Sequence, residues 1–522
     1  MSDRAVRFYL NLLVFWSGLV TLSVELAASR LMAPYFGTSL IVWTNLIGLI
    51  LIYLAAGYWA GGRLADRVPR LSALLAITAS AGLGVVLVPV VAMPVLRAAV
   101  GAFAGLQVGL LVGSFVGVLA LFALPMILLG CVSPFAVRLA TSHVGHTGRV
   151  AGRVYALSTL GSFVGTFLPV LVLIPALGTR RTFLLLGLSL MAVSAVGFAV
   201  ARRWRFAGLT VALAAVAWWW WAQVVPGVPV KPGENVLYEE ESAYQYIRVV
   251  ETAEGERLLE LNEGLGVHSR YLPGTPYTGR VWDFFALAPF FNPAPYDPFQ
   301  EAGRWALVGA AAGTAARVIT AIYGPVPIEG VELDPAVLEV GRRYFDMKLP
   351  NFRVTALDGR AWLLLDQGTY DVVIVDAYRQ PYIPFELTTV EFFEQVRDHL
   401  TEDGVVVVNA NRGLNGDRRL VRALAATMSQ VYPSVFTVDI DVSYNTLVVA
   451  TRRPATPADF RANVGRVTHP VVRDLGERAA GGLRLWDHEE GPVLTDDRAP
   501  VEWLTDLMIV EAALRGNEAT TP

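Results

Sequence analysis

Trp305-Ala-Leu-Val-Gly309-Ala-Ala-Ala-Gly313-Thr314 decides the fold of the C-terminal half of this chain. A short apolar run that ends on a glycine turn, with an amphipathic stretch beyond it, predicts a strand, a tight turn and a helix. Glycine permits the tight turn and lets a ligand approach the backbone closely. Ile328-Glu-Gly-Val-Glu332 follows as a second strand, its terminal acid about 20 residues further on, where a dinucleotide-type fold places the carboxylate that holds ribose hydroxyls. Asn351–Leu357 runs into Asp358-Gly359, and Tyr370-Asp-Val-Val-Ile-Val-Asp376 is a buried strand finishing in a carboxylate. Gly404–Asn409, Ser434–Ile440 and Asn445–Thr451 complete an expected sheet of about seven strands, parallel where crossover helices join them.

Ligands in open α/β sheets bind beyond the carboxyl ends of the strands. Gly309, Glu332, Asp358 and Asp376 all fall there, so they are the candidate nucleoside site. Asp334-Pro335 has the pattern of a helix N-cap instead. The turn lacks the full G-x-G-x-x-G spacing, and no pyrophosphate signature is present. An adenosyl ligand without phosphates, S-adenosylmethionine or its decarboxylated form, fits this better than NAD.

Upstream the chain changes solvent. Hydrophobic residues make up 54% and charged residues 17%, a balance that calls for membrane spans. A bilayer core of about 30 Å takes roughly 20 apolar residues as helix. Seven stretches qualify: Phe8–Leu31, Leu40–Ala60, Leu71–Leu96, Gln107–Gly130, Val154–Leu177, Thr182–Ala201 and Phe206–Val225. Phe8–Leu31 is too long for a cleavable signal. Arg63, Arg67, Arg70, Arg138, Arg149, Arg153, Arg202, Arg203 and Arg205 gather on one side of these spans, which the positive-inside rule makes cytoplasmic. Seven spans then deliver the soluble part outside, whereas supply of an adenosyl co-substrate asks for the cytoplasm. The Trp218–Trp221 run belongs at an interface, so the seventh segment either spans or lies along the surface.

Inside the spans, Glu25 is a carboxylate expected to pair with Arg30 or Arg153, or to serve a substrate or proton. Gly161-x-x-x-Gly165, with Ser158, Ser162 and Thr166, predicts close helix approach. Gly62-Arg63-Leu64-Ala65-Asp66-Arg67 resembles the loop of the major facilitator superfamily between its second and third spans. With one cysteine, Cys131, and only His143 and His146 close together among six histidines, no metal site and no disulfide are expected. A net charge of −3 gives no sign of nucleic-acid binding.

The expected organisation is a membrane domain over 1–225, a proline- and glycine-rich linker over 226–235 and a small β lead-in over 236–300. A Rossmann-like, methyltransferase-type α/β domain over 301–455 and an extension over 456–522 follow. The lead-in is expected to hold two antiparallel strands, Tyr244–Glu251 and Arg257–Leu261.

Residues 236–455 resemble the spermidine synthase family of aminopropyltransferases, in its membrane-fused branch. The resemblance is carried by Ser242-Ala-Tyr244-Gln245-Tyr-Ile247, Val331-Glu332-Leu-Asp334, Asp358-Gly359, and Tyr370–Asp376 with Leu387-Thr-Thr-Val-Glu-Phe392-Phe393. It implies Gln245 on the thioadenosine, Gly309 and Gly313 in the turn, Glu332 on the ribose, Asp358 and Gly359 beside adenine, and Asp376 as proton acceptor. It also implies decarboxylated S-adenosylmethionine as co-substrate and a small amine as acceptor, at a lipid bilayer; a homo-oligomer is left open. The chain departs from the family at three places. Ala312 stands where the family's turn carries an aspartate that grips the aminopropyl ammonium. Arg379 stands at the second acid, and Tyr277-Thr278-Gly279 at the family's Tyr-His-Glu. Carboxylates matched to cationic amines are therefore lost, which counts against putrescine as acceptor. His268, Tyr378 and Arg379 are the acceptor-side candidates, with Asn262, Glu263 and Arg270 near them in sequence. Two rival readings stay open: a methyltransferase on the same fold, and a transport or sensor protein that binds a polyamine or nucleoside.

Overall fold

A computed structural model of the chain describes residues 3–36, 40–103, 109–141, 147–224, 230–231, 235–262, 266–378, 382–413, 416–487 and 491–515. Two compact units are present. One comprises Met1–Pro232 with Glu239–Tyr246, the other Gly233–Tyr238 with Ile247–Pro522.

The first unit is helical: α1 (Asp3–Phe36), α2 (Leu40–Arg67), α3 (Leu71–Phe103), α4 (Gly109–Gly130), α5 (Val132–Ala140), α6 (Thr147–Leu168), α7 (Ile174–Leu177), α8 (Thr179–Val200) and α9 (Trp204–Val224). Among the described residues six helices are long and apolar enough to cross a membrane, α4 continuing into α5 and α6 into α7. The seventh expected span is α9, which carries four consecutive tryptophans and is not one of those six. Its Ala217 and Trp221 are buried with Val86 of α3 and Leu184 of α8.

The small residues of α6 close on α1 as their spacing predicts. A Cβ added at Gly161 would lie 1.9 Å from the Phe15 carbonyl oxygen, and one at Gly165 2.2 Å from that of Leu19. Ser162 and Ser23 seal the contact by donating to the Gly18 and Gly165 carbonyls at 3.2 and 3.0 Å. Thr166 instead donates back to Ser162 in its own helix. Across other helix pairs Asn45 donates to Ser114 and Trp16 to Ser189, both at 2.9 Å. These bonds satisfy polar groups that water does not reach in a bilayer.

Two expectations for this unit change. Gly62–Arg67 is the last turn and a half of α2, not a loop; there Asp66 pairs with Arg138 of α5 at 3.1 Å and the Arg63 guanidinium lies over Trp59. Glu25 pairs with neither Arg30 nor Arg153 among the described residues, since Arg30 donates to the Ala243 carbonyl. His143, His146 and most of the linker lie outside the described residues.

The lead-in has four strands rather than two: β1 (Val236–Glu241), β2 (Tyr246–Glu251), β3 (Arg257–Leu261) and β4 (Val267–Tyr271), in that order. After them come α10 (Val281–Phe284) and an apolar 3₁₀ turn to Phe291, then α11 (Pro298–Glu301). The main sheet follows as β5 (Trp305–Val308), α12 (Thr314–Tyr323), β6 (Ile328–Glu332), α13 (Pro335–Tyr344), β7 (Phe352–Ala356), α14 (Gly359–Leu365), β8 (Tyr370–Val375), α15 (Val390–Asp398) and β9 (Leu400–Asn411). It ends with α16 (Arg419–Met428), β10 (Ser434–Asp439), β11 (Asn445–Thr451), α17 (Pro457–Gly465), α18 (Pro470–Gly482), β12 (Leu483–Leu485) and α19 (Val501–Arg515).

The sheet has eight strands, in the order β12-β10-β11-β9-β8-β5-β6-β7, where about seven were expected. The addition is β12, from the C-terminal extension, paired antiparallel to β10. From β7 to β9 the strands are parallel. Alternation sends Trp305, Leu307, Val372, Ile374, Val405 and Val407 into one core and Ala306, Val308, Val373, Val375, Val406 and Val408 into another. Strands covered on both faces are continuous apolar runs for this reason.

Candidate active site

Register brings the strand-end residues together. Val308 of β5 lies beside Val331 of β6 and Val375 of β8, and Glu332 beside Ala356 of β7. Gly309, Glu332, Asp358 and Asp376 therefore follow the carboxyl ends of four adjacent parallel strands. Val375 is also level with Val408 of β9, so Asn409 comes opposite Asp376.

The turn after β5 is built on positive φ: Gly309 at 91°, Ala311 at 44° and Gly313 at 82°. A Cβ at Gly309 would lie 2.4 Å from the Asp376 carbonyl oxygen, so β5 and β8 end in backbone contact that only glycine allows. Glu332 braces this turn. Its Oε2 accepts from the Ala311 N–H at 2.9 Å and its Oε1 from the Asp334 N–H at 3.2 Å. Burial pushes its carboxyl up to about 7, against the lowering effect of those backbone donors. Each oxygen keeps a lone pair for a further donor. Asp334 caps α13 through the Ala336 N–H, as its Asp-Pro pattern predicts. Asp358 caps α14, one oxygen accepting from both Arg360 N–H at 3.1 Å and Ala361 N–H at 2.9 Å. Gly359 sits so close to Val308 that a Cβ would meet it at 2.6 Å.

Asp376 is held by two neutral donors. Asn409 Nδ2 donates to its Oδ1 at 2.8 Å and Trp282 Nε1 to its Oδ2 at 3.1 Å. Burial raises its carboxyl above the ordinary range, and the two hydrogen bonds pull the other way. A carboxylate so placed keeps outward lone pairs and an affinity for protons above that of an exposed aspartate, which suits a general base.

The acceptor-side candidates fare differently. The Tyr378 hydroxyl donates to the Asn409 carbonyl at 2.8 Å, inside the site, and its oxygen keeps acceptor capacity. His268 sits in β4 at a break in register against β3, where Leu259 faces Ser269 and Glu260 faces Val267. Its Nε2 is occluded without a partner, and burial drives its pKa down to about 4, so the imidazole is neutral. Next to it, Ser269 Oγ accepts from the Ala312 N–H at 2.9 Å, tying β4 to the glycine turn. Arg270 is committed to Glu256 and the Thr278 carbonyl, a structural role. Thr278 and Gly279 in turn donate to Asp283. Asn262 is buried at a φ of 48°. The Gln245 N–H donates to the Ser242 hydroxyl at 3.0 Å and closes a turn before β2. Glu263 and Arg379 lie outside the described residues.

Sequence reasoning missed Trp282 and Asn409. Asn409 left a signal: in Val405-Val-Val-Val-Asn409-Ala-Asn411 two amides with a one-residue gap interrupt a buried strand at its carboxyl end. Trp282, inside the apolar run Val281–Phe291, left none.

Residues 307–449 match the model of the spermine/spermidine synthase domain. The chain is 31% identical over 286 residues to a probable polyamine aminopropyl transferase of Bifidobacterium longum, covering 52% of this chain and 62% of that one. It is 25% identical over 439 residues to polyamine aminopropyltransferase 2 of Ralstonia nicotianae, covering 77% and 78%. Among solved structures it is similar to a probable spermidine synthase from Corynebacterium glutamicum, with 19% identity and a TM-score of 0.38 over 53% of this chain and 94% of that one. Gly309, Glu332, Asp358, Asp376 and Asn409 all lie within the stretch that matches that domain, and among the described residues six helices of membrane-crossing length and apolarity precede it.

Proposed function

We propose that this protein is a membrane-anchored aminopropyltransferase that uses decarboxylated S-adenosylmethionine as donor and a small amine as acceptor, with the site's lost carboxylates counting against putrescine. The observation that carries the reading is Asp376, a partly buried carboxylate at the end of β8, held among the described residues by neutral donors and level with Glu332 on the edge where Asp358 also falls. The domain match and the names of the relatives from Bifidobacterium longum and Ralstonia nicotianae support it. In the step, the acceptor nitrogen attacks the methylene carbon beside the sulfonium, and a C–N bond forms. The C–S bond breaks with its electron pair going to sulfur, which leaves as neutral methylthioadenosine. The proton released from nitrogen passes to Asp376. Glu332 takes the ribose hydroxyls, and Asp358 with Gly359 flank the adenine. Ala312 supplies no carboxylate for the donor's ammonium, which separates this site from one built for simple diamines. Incubating the full-length protein in detergent with the donor and a broad amine panel tests the reading. Methylthioadenosine release with an alkylated amine is expected. Methylation with S-adenosylmethionine, or no turnover of either donor, would overturn it.

Glu332 makes donor affinity depend on pH. A carboxyl with a pKa of about 7 is mostly neutral below that value and ionised above it. Only the ionised form accepts strong hydrogen bonds from both ribose hydroxyls. Affinity for methylthioadenosine should therefore fall about tenfold per pH unit below 7 and level off above it. Glu332→Gln should bind more weakly and lose the pH dependence. Calorimetry across that range checks both, and a flat wild-type profile would remove Glu332 from the ribose.

Charge bias places the Arg63–Arg70 connection in the cytoplasm. In a Cys131→Ala background, Ser72→Cys is expected to resist an impermeant thiol reagent in intact cells and to react after lysis. Labelling in intact cells reverses the orientation. The same assay at the exposed Glu254 reads the side of the soluble unit.

A further inference from the structure

Asp376 is one end of a line of side-chain amides that crosses three strands. Asn409 Nδ2 donates to Asp376 Oδ1 at 2.8 Å; Asn409 Oδ1 accepts from Asn445 Nδ2 at 2.8 Å; and the same Nδ2 donates to Asn411 Oδ1 at 2.9 Å. Strand register makes the line possible. In the antiparallel pair β9–β11, Asn445 faces Asn411 directly and Asn409 lies diagonally, two residues along on the same face.

The directions of these bonds are coupled. An amide can present either end, so Asn409 alone could turn its oxygen or its nitrogen toward Asp376. Its oxygen is claimed by Asn445. Asn445 bonds both amide oxygens with its one nitrogen, so it can reverse only if Asn409 and Asn411 turn with it. On the other carboxylate oxygen, Trp282 Nε1–H is a donor with no acceptor capacity. In this arrangement both side-chain partners of Asp376 among the described residues are donors. A proton arriving on Asp376 meets no side-chain acceptor among them, and it settles on the lone pairs that the two donors leave free.

We infer that Asn445 is a positioning residue for the base: acting through Asn409, it keeps Asp376 ionised and able to receive the acceptor's proton. This rests on the role given to Asp376 above. Were Asn409 to turn over, its oxygen would face the carboxylate and favour the protonated form, which cannot act as a base. The titratable and charged groups packed against this line include Tyr378, whose hydroxyl donates to the Asn409 carbonyl and whose phenol burial pushes up, and Arg412, which donates to the Asn445 carbonyl at 3.4 Å and pairs with Asp439. No cationic side chain bonds to Asp376 among the described residues.

Asn445→Asp tests the inference with almost no change of shape. It removes the nitrogen that pins Asn409 and offers only acceptors, so the Asn409 amide is driven to reverse. In the full-length protein kcat should fall about tenfold or more, since a hydrogen bond to a charged group is lost and a repulsive contact replaces it. The acid limb of the kcat–pH profile should move up by about one unit, with methylthioadenosine affinity unchanged. The second readout needs no turnover. The indole of Trp282 touches Asp376, so the fluorescence difference between each protein and its Trp282→Phe counterpart reports the titration of that carboxyl. Its midpoint should rise by the same amount in Asn445→Asp. Asn445→Ala, which frees the Asn409 amide without opposing it, should give a smaller shift in the same direction and serves if the Asp variant does not fold. An active wild type whose profile and fluorescence midpoint are unmoved by either variant overturns the inference and leaves the proposed function standing. A wild type without turnover whose fluorescence midpoint still shifts overturns the function and supports the positioning of Asp376.

Discussion

Asp376→Asn is expected to lower turnover by about 10²–10⁴-fold, the usual contribution of a general base, while affinity for methylthioadenosine stays within a few-fold. The substitution keeps the size of the side chain but cannot satisfy its surroundings. The carboxylate accepts from Trp282 Nε1 on one oxygen and from Asn409 Nδ2 on the other. An amide has only one oxygen, so its amino group must face one of those two donors. Some loss of folding stability therefore accompanies the loss of the base, and activity must be expressed per folded molecule. That correction separates two explanations. A residue that merely braced the end of β8 would show lower stability with ordinary activity in the folded fraction. A base would show the full loss of rate in a protein that still binds the nucleoside. Near-normal turnover by a well-folded Asp376→Asn protein would remove Asp376 from the chemistry.

The parts of this site that were legible in the sequence are those set by local pattern. Trp305–Val308, Ile328–Glu332 and Tyr370–Val375 are apolar runs closed by a glycine or an acid, and parallel strands covered on both faces have that composition. Once the strands are placed, the acids at their ends fall on one edge of the sheet without further information. What stayed hidden depends on contacts distant in sequence. Trp282 reaches Asp376 across 94 residues and Asn409 reaches it across 33, and no local spacing encodes either. The second duty of Glu332, bracing the Ala311 N–H, was hidden for a different reason: it depends on the positive φ of Ala311, a conformation that alanine does not advertise. The extra strands follow the same logic. β12 is only Leu483-Arg-Leu485, too short to show a period, and exists because β10 offers it an edge. In β1 three consecutive glutamates mask the alternation; one of them, Glu241, accepts from the backbone and hydroxyl of Thr179 at the start of α8.

The loss of carboxylates at Ala312 and Arg379 gains weight from what surrounds Ala312. Its side chain is buried and its N–H donates to Ser269, so the turn is filled and bonded without the family's acid. Nearby, His268 is neutral and Arg270 is consumed by Glu256 and Thr278. None of these groups offers a negative charge to a second ammonium, and this is the physical ground for looking beyond putrescine for the acceptor.

Within the site, a large structural effect from a single methyl group is expected at Gly309. Gly309→Ala places a Cβ 2.4 Å from the Asp376 carbonyl oxygen, 2.7 Å from its carbon and 2.8 Å from the Ala377 Cα. All three are backbone atoms, so no side-chain rotation relieves the overlap, and the ends of β5 and β8 must separate. The positive φ of 91° adds a conformational cost of about 1–2 kcal/mol for any L residue. Gly255 is the control: its φ is 78°, and a Cβ there meets nothing within 4 Å. Gly255→Ala should carry the conformational cost alone. The overlap, a case of overpacking, should add about 1–3 kcal/mol to Gly309→Ala beyond it. Function should suffer more than stability, because the strand that moves carries the base. A displacement of about 1 Å at a reacting group can cost about 10²-fold in rate, on top of weaker nucleoside binding at the widened turn. Thermal unfolding and turnover of the two variants, measured side by side, decide it. Equal melting temperatures and equal activities would mean that the contact between Gly309 and Asp376 does not hold the site together.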